Sequence, residues 1–267
     1  MKITILDNAT LAKTSLTCIE ELGELTTYEL TSPEQVVAHS QGADVLITNK
    51  VVLNRDTISQ LKTLKLICVS ATGTNNVDLN AAEEFGIAVT NVAGYSTPSV
   101  VQHTFSLVTN LLGNTHRYQR DCQQGAWQKS EMFCRLDYSF NDLQGKTFAI
   151  IGGGTLGKGV ATVAQAFGAN VVVAERKGAS CREGRTPFEE VLKTADIISV
   201  HCPLTDETRD LISLDELKMM KPSSIIINTA RGGIINEADL ATALEQNLIA
   251  GAGVDVLTKE PAEPSNP

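Results

Sequence analysis

The stretch that decides the fold is Thr147–Gly157, which reads TFAIIGGGTLG. Its first five residues are β-prone and mostly apolar, and they run directly into the pattern G-x-G-x-x-G. A strand, a glycine turn and an amphipathic helix in this order predict a unit that binds a dinucleotide. In such a turn Gly152 permits the sharp reversal, Gly154 lets a pyrophosphate approach the backbone, and Gly157 allows close packing of the helix on the strand. The free N–H groups at the helix N-terminus would hold the phosphates.

An acidic residue follows the next predicted strand, Asn170–Ala174. Glu175 stands close to the spacing of about 20 residues after the glycine motif at which a carboxylate accepts hydrogen bonds from the adenosine ribose hydroxyls. Its charge would repel a 2′-phosphate, so the sequence favours NAD over NADP. Arg176 and Lys177 leave this choice open, because either side chain could reach such a phosphate or simply flank the adenine.

The composition narrows the remaining classes of protein. The chain has 267 residues, of which 42% are hydrophobic and 20% charged, and its net charge is −9. This balance is typical of a globular protein with a sizeable core, and the acidity argues against nucleic acid or a membrane surface as a partner. The six cysteines are scattered without a CxxC pair or a regular framework, which favours buried reduced thiols over disulfides. No stretch approaches the ~20 apolar residues of a membrane helix, so a cytoplasmic protein is expected.

Strand and helix patterns alternate along almost the whole chain. This alternation predicts an α/β fold of two Rossmann-like domains, each with a parallel sheet covered on both faces. We expect a flavodoxin-like substrate domain over residues 1–97 and an NAD-binding Rossmann domain over residues 98–267. In the first domain the predicted strands and helices include Ile3–Leu6, Pro33–His39, Ala43–Ile47, Asn54–Leu61, Leu66–Val69 and Ile87–Val89.

Two segments near the middle of the chain have distinct patterns. A long helix is predicted from about Ser99, with Thr97 as its N-cap and an end at Gly113 in the left-handed conformation. Its position between the two series of strands favours a connector between domains over one more core helix. Residues 114–145 are polar but contain isolated large side chains. The segment could fold back on its own domain, but an arm onto a second copy is favoured, which predicts a homodimer.

Polar residues follow three further predicted strands. Ile197–Val200 runs into His201-Cys202-Pro203-Leu204-Thr205, Ile225–Ile227 runs into Asn228-Thr229-Ala230-Arg231-Gly232, and residues 250–256 contain Asp255, with Glu260 shortly after. In an open α/β sheet the ligand lies beyond this carboxyl edge. From the residues alone, Arg231 is a substrate-binding cation or a surface ion pair, and Asp255 and Glu260 are ligand-binding acids or ordinary loop residues. His201 is a tempting proton donor, but its place in a His-x-Pro turn favours a role in shaping the cofactor loop.

Taken together, these motifs resemble the D-2-hydroxyacid dehydrogenase family. The resemblance covers essentially the whole chain in the right order. Gly94-Tyr95-Ser96-Thr97 and the run Val101–Phe105 are most similar to the branch of glycerate dehydrogenases, or hydroxypyruvate reductases. The motifs that carry the resemblance are Thr72-Gly73-Thr74-Asn75-Asn76-Val77-Asp78, His201-x-Pro203-Leu204-Thr205 with Thr208, Asn228-x-x-Arg231-Gly232, Gly253-Val254-Asp255-Val256 and Glu260-Pro261.

The resemblance implies an active site in the cleft between the two domains and a role for each matching residue. Arg231 would bind a small 2-keto acid such as hydroxypyruvate, with the backbone at Thr72 and Gly73 donating to the same carboxylate. Asp255 would hold the nicotinamide carboxamide, and Glu260 would keep a proton-donating histidine charged. The remaining contacts of the NAD cofactor would come from Thr72, Thr155, Leu156, Cys202, Pro203, Thr208, Thr229 and Ala230.

The sequence departs from the family after Glu260-Pro261. The family's catalytic histidine follows that motif after a further stretch, whereas no histidine follows His201 in these 267 residues. These 267 residues therefore lack the family's C-terminal segment, with its proton donor and closing helix; either the chain is shortened or the full product continues beyond them. The expected reaction is reversible hydride transfer between NADH and a 2-keto acid, giving a D-2-hydroxy acid such as D-glycerate, impaired by the missing histidine. The alternative is a non-catalytic NAD-binding module that regulates assembly with a partner.

Overall fold

The computed structural model describes residues 1–267, which divide into two compact units, Met1–Ser96 and Thr97–Pro267. Each unit contains one five-stranded sheet, and every strand pair in both sheets is parallel. The prediction of two α/β domains with parallel sheets is therefore confirmed. None of the helices combines the length and the apolar character that crossing a bilayer requires.

The first unit is wound around strand β1, which lies between β2 and β3 in a sheet of order β2-β1-β3-β4-β5. Side chains such as Leu46 and Ile67 are fully buried between the sheet and its helices. Asn54 and Asp78 cap α3 and α4, because each accepts a hydrogen bond from a first-turn N–H group. The strands are β1 (Lys2–Ile5), β2 (Glu24–Thr27), β3 (Val45–Thr48), β4 (Leu66–Val69) and β5 (Ala88–Asn91), and the helices are α1 (Thr17–Glu20), α2 (Val36–Ser40), α3 (Arg55–Gln60) and α4 (Leu79–Glu84), with a 3₁₀ turn at Asn8–Leu11.

The second unit repeats this winding around β6, with the strand order β10-β9-β8-β6-β7. Its longest helix, α5, packs against α7 and along β9 and β10. The strands are β6 (Thr147–Ile151), β7 (Asn170–Val173), β8 (Ile197–Val200), β9 (Ile225–Asn228) and β10 (Gly251–Val254), and the helices are α5 (Thr97–Gly113), α6 (Thr115–Gln123), α7 (Thr155–Ala166), α8 (Phe188–Thr194), α9 (Leu214–Met219) and α10 (Glu237–Glu245), with a 3₁₀ turn at Trp127–Lys129.

The central strands of the second sheet are buried along their whole length. All residues of β8 and β9 are buried, as expected for a parallel sheet that is covered on both faces. Ile198 and Ile226 belong to the hydrophobic cluster on one face, and Ile197 and Ile225 belong to the cluster on the other. Polar residues follow the end of each of these strands. The candidate binding and catalytic residues of the unit therefore lie at this carboxyl edge of the sheet.

Three local features differ from the sequence pattern. Strand β2 has no apolar run, because this edge strand leaves most of its residues exposed. Helix α5 starts at Thr97 itself, one residue before the predicted first turn. The residue in the left-handed conformation after this helix is Asn114, with φ of 49°, so the prediction that Gly113 adopts it is wrong. Asparagine tolerates this conformation better than most residues.

Candidate active site

The glycine turn after β6 fits closely against the end of β8. Gly152 has φ of 102°, and a Cβ atom there would lie 2.6 Å from both the Cys202 nitrogen and the His201 carbonyl carbon. Backbone atoms cannot yield as a flexible side chain can, so only glycine fits this position. At Gly157 a side chain would collide with the Gly152 carbonyl and lie 2.9 Å from Ile150 Cγ2. These two glycines therefore set the turn and the packing of α7 on β6.

The third glycine leaves the N-terminus of α7 open. Gly154 is the N-cap residue, no side chain caps the helix, and no atom lies within 4 Å of a Cβ built there. The first-turn N–H groups, including those of Thr155 and Leu156, thus have no side-chain acceptor. With a helix of 12 residues behind them, these groups form a site for an anion. The turn therefore fits the pyrophosphate of a dinucleotide.

The carboxylate after β7 is not free. Glu175 accepts hydrogen bonds from Arg182 Nε at 2.7 Å and Nη2 at 2.5 Å, and from the backbone N–H groups of Arg176 at 2.9 Å and Arg182 at 3.2 Å. The hydrogen bonds from Arg182 are the largest cause of a pKa lowered to about 2. This arrangement differs from the expectation of a carboxylate that is ready to accept from the ribose hydroxyls.

The loop after β8 is held by its own polar groups. His201 is buried, its Nε2 lies 2.8 Å from Ser199 Oγ, and burial lowers its pKa to about 4. The imidazole is therefore neutral at pH 7, which does not suit a proton donor. Thr208 Oγ1 donates to the Pro203 carbonyl at 2.6 Å and accepts from Thr205 N–H at 2.7 Å, so this hydroxyl shapes the turn. Burial also raises the pKa of the Cys202 thiol.

The turn after β9 presents an arginine. The Asn228 side chain accepts from Ala230 N–H at 3.0 Å and donates to the Arg231 carbonyl at 2.9 Å, which fixes the turn at both ends. Arg231 is exposed, and its Nη1 donates to the Ala230 carbonyl at 2.7 Å. No carboxylate lies within salt-bridge distance of this guanidinium, since Arg231 takes part in none of the ion pairs of the structure. Its remaining N–H groups can bind a planar anion such as a carboxylate.

The Glu260 segment lies against this arginine turn. A side chain at Gly232 would collide with the backbone of Leu257 and Thr258, so only glycine allows the two segments to touch. Glu260 Oε1 in turn accepts from Leu257 N–H at 2.9 Å. The structure therefore places the segment of Glu260 against the turn that carries Arg231, although the two lie in separate motifs of the sequence.

Helix α5 supports the same edge with two polar side chains. His103 Nε2 lies 3.0 Å from Asp255 Oδ1, and Thr104 Oγ1 lies 3.0 Å from Thr229 Oγ1. Asp255 is also tied to β9, because its N–H donates to the Asn228 carbonyl at 3.0 Å. The sequence pattern missed both contributions from α5. The signal in the sequence was the polar run Gln102-His103-Thr104 within this helix.

In the first unit, the predicted substrate loop follows β4. Thr72 Oγ1 donates to the Val92 carbonyl at 2.9 Å, and the Thr72 carbonyl accepts from Asn91 Nδ2 at 2.7 Å. These bonds fix the loop to the segment after β5 and use the Thr72 hydroxyl internally. The backbone N–H groups of Thr72 and Gly73 appear in no hydrogen bond of the structure, so they remain as donors.

Family models match both parts of the chain. The NAD-binding domain of the D-isomer specific 2-hydroxyacid dehydrogenases matches residues 105–267, and the catalytic domain of the same family matches residues 3–136. The chain belongs to the D-isomer specific 2-hydroxyacid dehydrogenases. It is thus an NAD-dependent 2-hydroxyacid dehydrogenase by family, and NAD is its cofactor.

Individual relatives locate the chain within the family. It is 42% identical to the glycerate dehydrogenase of Methylorubrum extorquens, over 90% of this chain and 76% of the relative. It is 34% identical to the hydroxypyruvate reductase of Blautia hydrogenotrophica, over 100% of this chain and 86% of the relative. A solved acyclic imino acid reductase, in complex with NADPH and D-Arg, superposes with a TM-score of 0.87 and 28% identity over 99% of this chain and 85% of that one. This D-2-hydroxyacid dehydrogenase therefore lies near the glycerate dehydrogenase and hydroxypyruvate reductase branch.

Proposed function

We propose that this dehydrogenase reduces hydroxypyruvate to D-glycerate with NADH and catalyses the reverse oxidation. The observation that carries the proposal is the exposed Arg231 guanidinium, fixed by Asn228 at the same sheet edge as the glycine turn and next to the Glu260 segment. The names of the two relatives, glycerate dehydrogenase and hydroxypyruvate reductase, support this choice of keto acid. Residues 1–97 act as the substrate domain and residues 98–267 as the NAD-binding domain.

The proposed contacts to the reacting groups use side chains and backbone N–H groups that have free hydrogen-bonding capacity. Arg231 binds the substrate carboxylate and carbonyl as a fork, and the backbone N–H groups of Thr72 and Gly73 donate to the carboxylate. Asp255 accepts from the carboxamide of the nicotinamide and is positioned by His103. The family resemblance gives Glu260 the role of the carboxylate that stabilises a charged imidazole, but no histidine follows Glu260 in these 267 residues. The proposed cofactor contacts are Thr72, Gly152, Gly154, Thr155, Leu156, Gly157, Glu175, Cys202, Pro203, Thr208, Thr229, Ala230 and Asp255.

The chemistry needs a hydride, a proton and a polarised carbonyl. NADH supplies the hydride when it is bound. Arg231 polarises the carbonyl, because its fixed positive charge stabilises the negative charge that develops on the oxygen. In this proposal the proton comes from solvent water, since burial keeps the His201 imidazole neutral at pH 7 and no histidine follows it in these 267 residues.

Replacing Arg231 tests the proposal. In Arg231→Gln we expect kcat/KM for hydroxypyruvate to fall by roughly 10²–10⁴-fold, as for the loss of two charged hydrogen bonds. The NADH dissociation constant, measured by nucleotide fluorescence, should stay within about twofold, because the guanidinium is assigned to the substrate. Lys218→Gln removes an exposed charge elsewhere in the same unit and serves as the control. Glyoxylate and pyruvate are assayed beside hydroxypyruvate, and a higher kcat/KM for either of them would refute the choice of substrate.

A second proposal concerns assembly, and it rests on the segment 114–145. Tyr118 and Tyr138 pack edge to face at 5.1 Å within this segment, so part of it folds on itself. Phe133, Leu136 and Phe140 nevertheless remain 90%, 76% and 72% exposed. Apolar side chains exposed to this degree in one segment are typical of an interface. We assign this surface to the interface of a homodimer of the chain. The cytoplasmic location expected from the sequence stays a prediction.

Light scattering after size exclusion tests the assembly. The wild-type chain of 28.6 kDa is expected at twice that mass, and Phe133→Glu with Leu136→Glu is expected to give a monomer. Leu30→Glu changes a similarly exposed leucine, at 71%, in the first unit and should leave the mass unchanged. A wild-type monomer at micromolar concentration would rule the dimer out.

A further inference from the structure

The acceptor capacity of the Glu175 carboxylate is already used. Two oxygens offer about four lone-pair positions, and four N–H groups of Arg176 and Arg182 occupy them. The Glu175 side chain is only 2% exposed. Ribose hydroxyls could therefore bind this carboxylate only by displacing one of these four hydrogen bonds. The usual advantage that such a carboxylate gives to NADH is removed in this arrangement.

The Arg182 guanidinium also neutralises the negative charge of Glu175, which would otherwise repel a 2′-phosphate. Arg182 binds Glu175 through Nε and one N–H of Nη2, which leaves three of its five N–H groups for another acceptor. Its side chain is 61% exposed, in contrast to the carboxylate beneath it. A guanidinium with free donors and solvent access is the group that binds phosphate best.

Two more arginines of the same loop carry charge without a carboxylate partner. The Arg185 guanidinium lies over the glycine turn, with Nη1 at 2.8 Å and Nη2 at 2.9 Å from a Cβ built on Gly153. Neither Arg176 nor Arg185 takes part in an ion pair, whereas Lys177 is held by Glu216 at 2.7 Å. Glu183 is the only acid among residues 176–186. The loop is therefore locally basic in a chain with a net charge of −9.

From this geometry we infer that the adenosine end of the site accepts NADP(H) as well as NAD(H), with Arg182 as the residue that determines the preference. When NADP(H) binds, Arg182 shares its guanidinium between Glu175 and the 2′-phosphate, and Arg185 adds a second cation. When NAD(H) binds, Arg182 stays on Glu175 and the ribose hydroxyls gain little from the carboxylate. The inference concerns cofactor binding and does not depend on which keto acid is reduced.

Direct binding measurements test the inference without any turnover. NADH and NADPH are titrated by their nicotinamide fluorescence, and the dissociation constants in wild type should agree within ~10-fold. In Arg182→Gln the freed carboxylate should weaken NADPH by at least ~10-fold and leave NADH equal or tighter. In Glu175→Gln the ratio should move the other way, because Arg182 is released to the phosphate. Lys193→Gln, on α8, removes the same net charge outside the loop and should leave the ratio unchanged.

A second probe separates the adenosine end from the nicotinamide end. Adenosine 2′,5′-bisphosphate and 5′-AMP differ only in the 2′-phosphate, so their effects on the melting temperature report on this group alone. The bisphosphate should stabilise wild type more than 5′-AMP does, and Arg182→Gln should abolish that difference. Wild type that binds NADH at least ~100-fold more tightly than NADPH would overturn the inference. Parallel losses of both cofactors in Arg182→Gln would do so as well, since they indicate a purely structural arginine.

Discussion

The two sheets of this protein have the same order of strands but differ in charge at the crevice beyond their first and third strands. A carboxylate of the chain fills this crevice in the first unit, whereas free N–H groups remain there in the second. In each, the first strand of the unit lies between the second strand on one side and the third strand on the other. The crevice beyond β1 and β3 in the first unit therefore corresponds to the crevice beyond β6 and β8 in the second. Such crevices collect backbone N–H groups and are the places where α/β proteins bind anions.

The first unit fills its crevice with its own carboxylate. Asp7 is 3% exposed and accepts from the backbone N–H groups of Asn49 at 3.0 Å and Lys50 at 2.7 Å. The second unit has Gly152-Gly153-Gly154 at the corresponding place, and it leaves the N–H groups of α7 uncapped. In the first unit the amides that bind the carboxylate come from the loop after β3, whereas in the second unit the open amides come from the start of α7, after β6. Single residues after the first strand decide whether the chain or a ligand provides the anion.

The largest effect on stability and NADH affinity is expected from a substitution at Gly152, in the crevice of the second unit. Gly152→Ala combines a φ of 102° with a Cβ that lies 2.6 Å from the Cys202 nitrogen. We expect the free energy of unfolding to fall by about 4 kcal/mol, from backbone strain together with overpacking against rigid atoms. NADH affinity should fall by roughly 100-fold, since about 3 kcal/mol of distortion at the turn corresponds to two decades. Urea denaturation followed by circular dichroism and an NADH titration measure the two quantities.

Gly154→Ala is the matched control for this substitution. Its φ of −75° suits alanine, and no atom lies within 4 Å of the new Cβ. Stability should therefore change by less than about 1 kcal/mol. Equal stability losses in the two variants would show that the turn is not held by the contact between Gly152 and the end of β8.

A substitution at Asp7, in the crevice of the first unit, should change the stability of the protein but not its affinity for NADH. Asp7→Asn keeps the shape of the side chain but replaces a carboxylate oxygen by a donor that faces the N–H groups of Asn49 and Lys50. We expect the free energy of unfolding to fall by about 3 kcal/mol, because hydrogen bonds to a buried charge are lost. NADH binding, which belongs to the second unit, should stay within about twofold. A strong loss of NADH affinity with unchanged stability would contradict this division of roles.

Much of this arrangement follows from local sequence, and the rest depends on contacts between distant residues. The strand and glycine turn of residues 147–157 are read directly, because the apolar run and the glycine spacing are local signals. The partner of Glu175 was missed, because an arginine seven residues away looks like any other loop cation. Strand β2 was missed because an edge strand needs no apolar run. The pairing of His103 with Asp255 was missed because it joins a helix to a strand end 152 positions later.

The smallest expected effect concerns pH, and it probes the residue whose backbone packs against the glycine turn of the second unit. His201, whose carbonyl lies against Gly152, is buried with a pKa lowered from 6.5 to about 4. Between these values the unfolded chain binds a proton that the folded chain does not, so stability falls as the pH falls from 6.5 towards 4. Protonation of this group alone should lower the free energy of unfolding by about 2 kcal/mol between pH 6.5 and pH 5.

The variant His201→Gln is the control, because it can keep the bond to Ser199 but does not titrate. Subtracting the pH dependence of its unfolding free energy from that of wild type cancels the contributions of His39, His103 and His116. A difference curve that is flat from pH 6.5 to 4 would mean that His201 is protonated in the folded protein, and it would restore this histidine as a candidate proton donor beside the glycine turn.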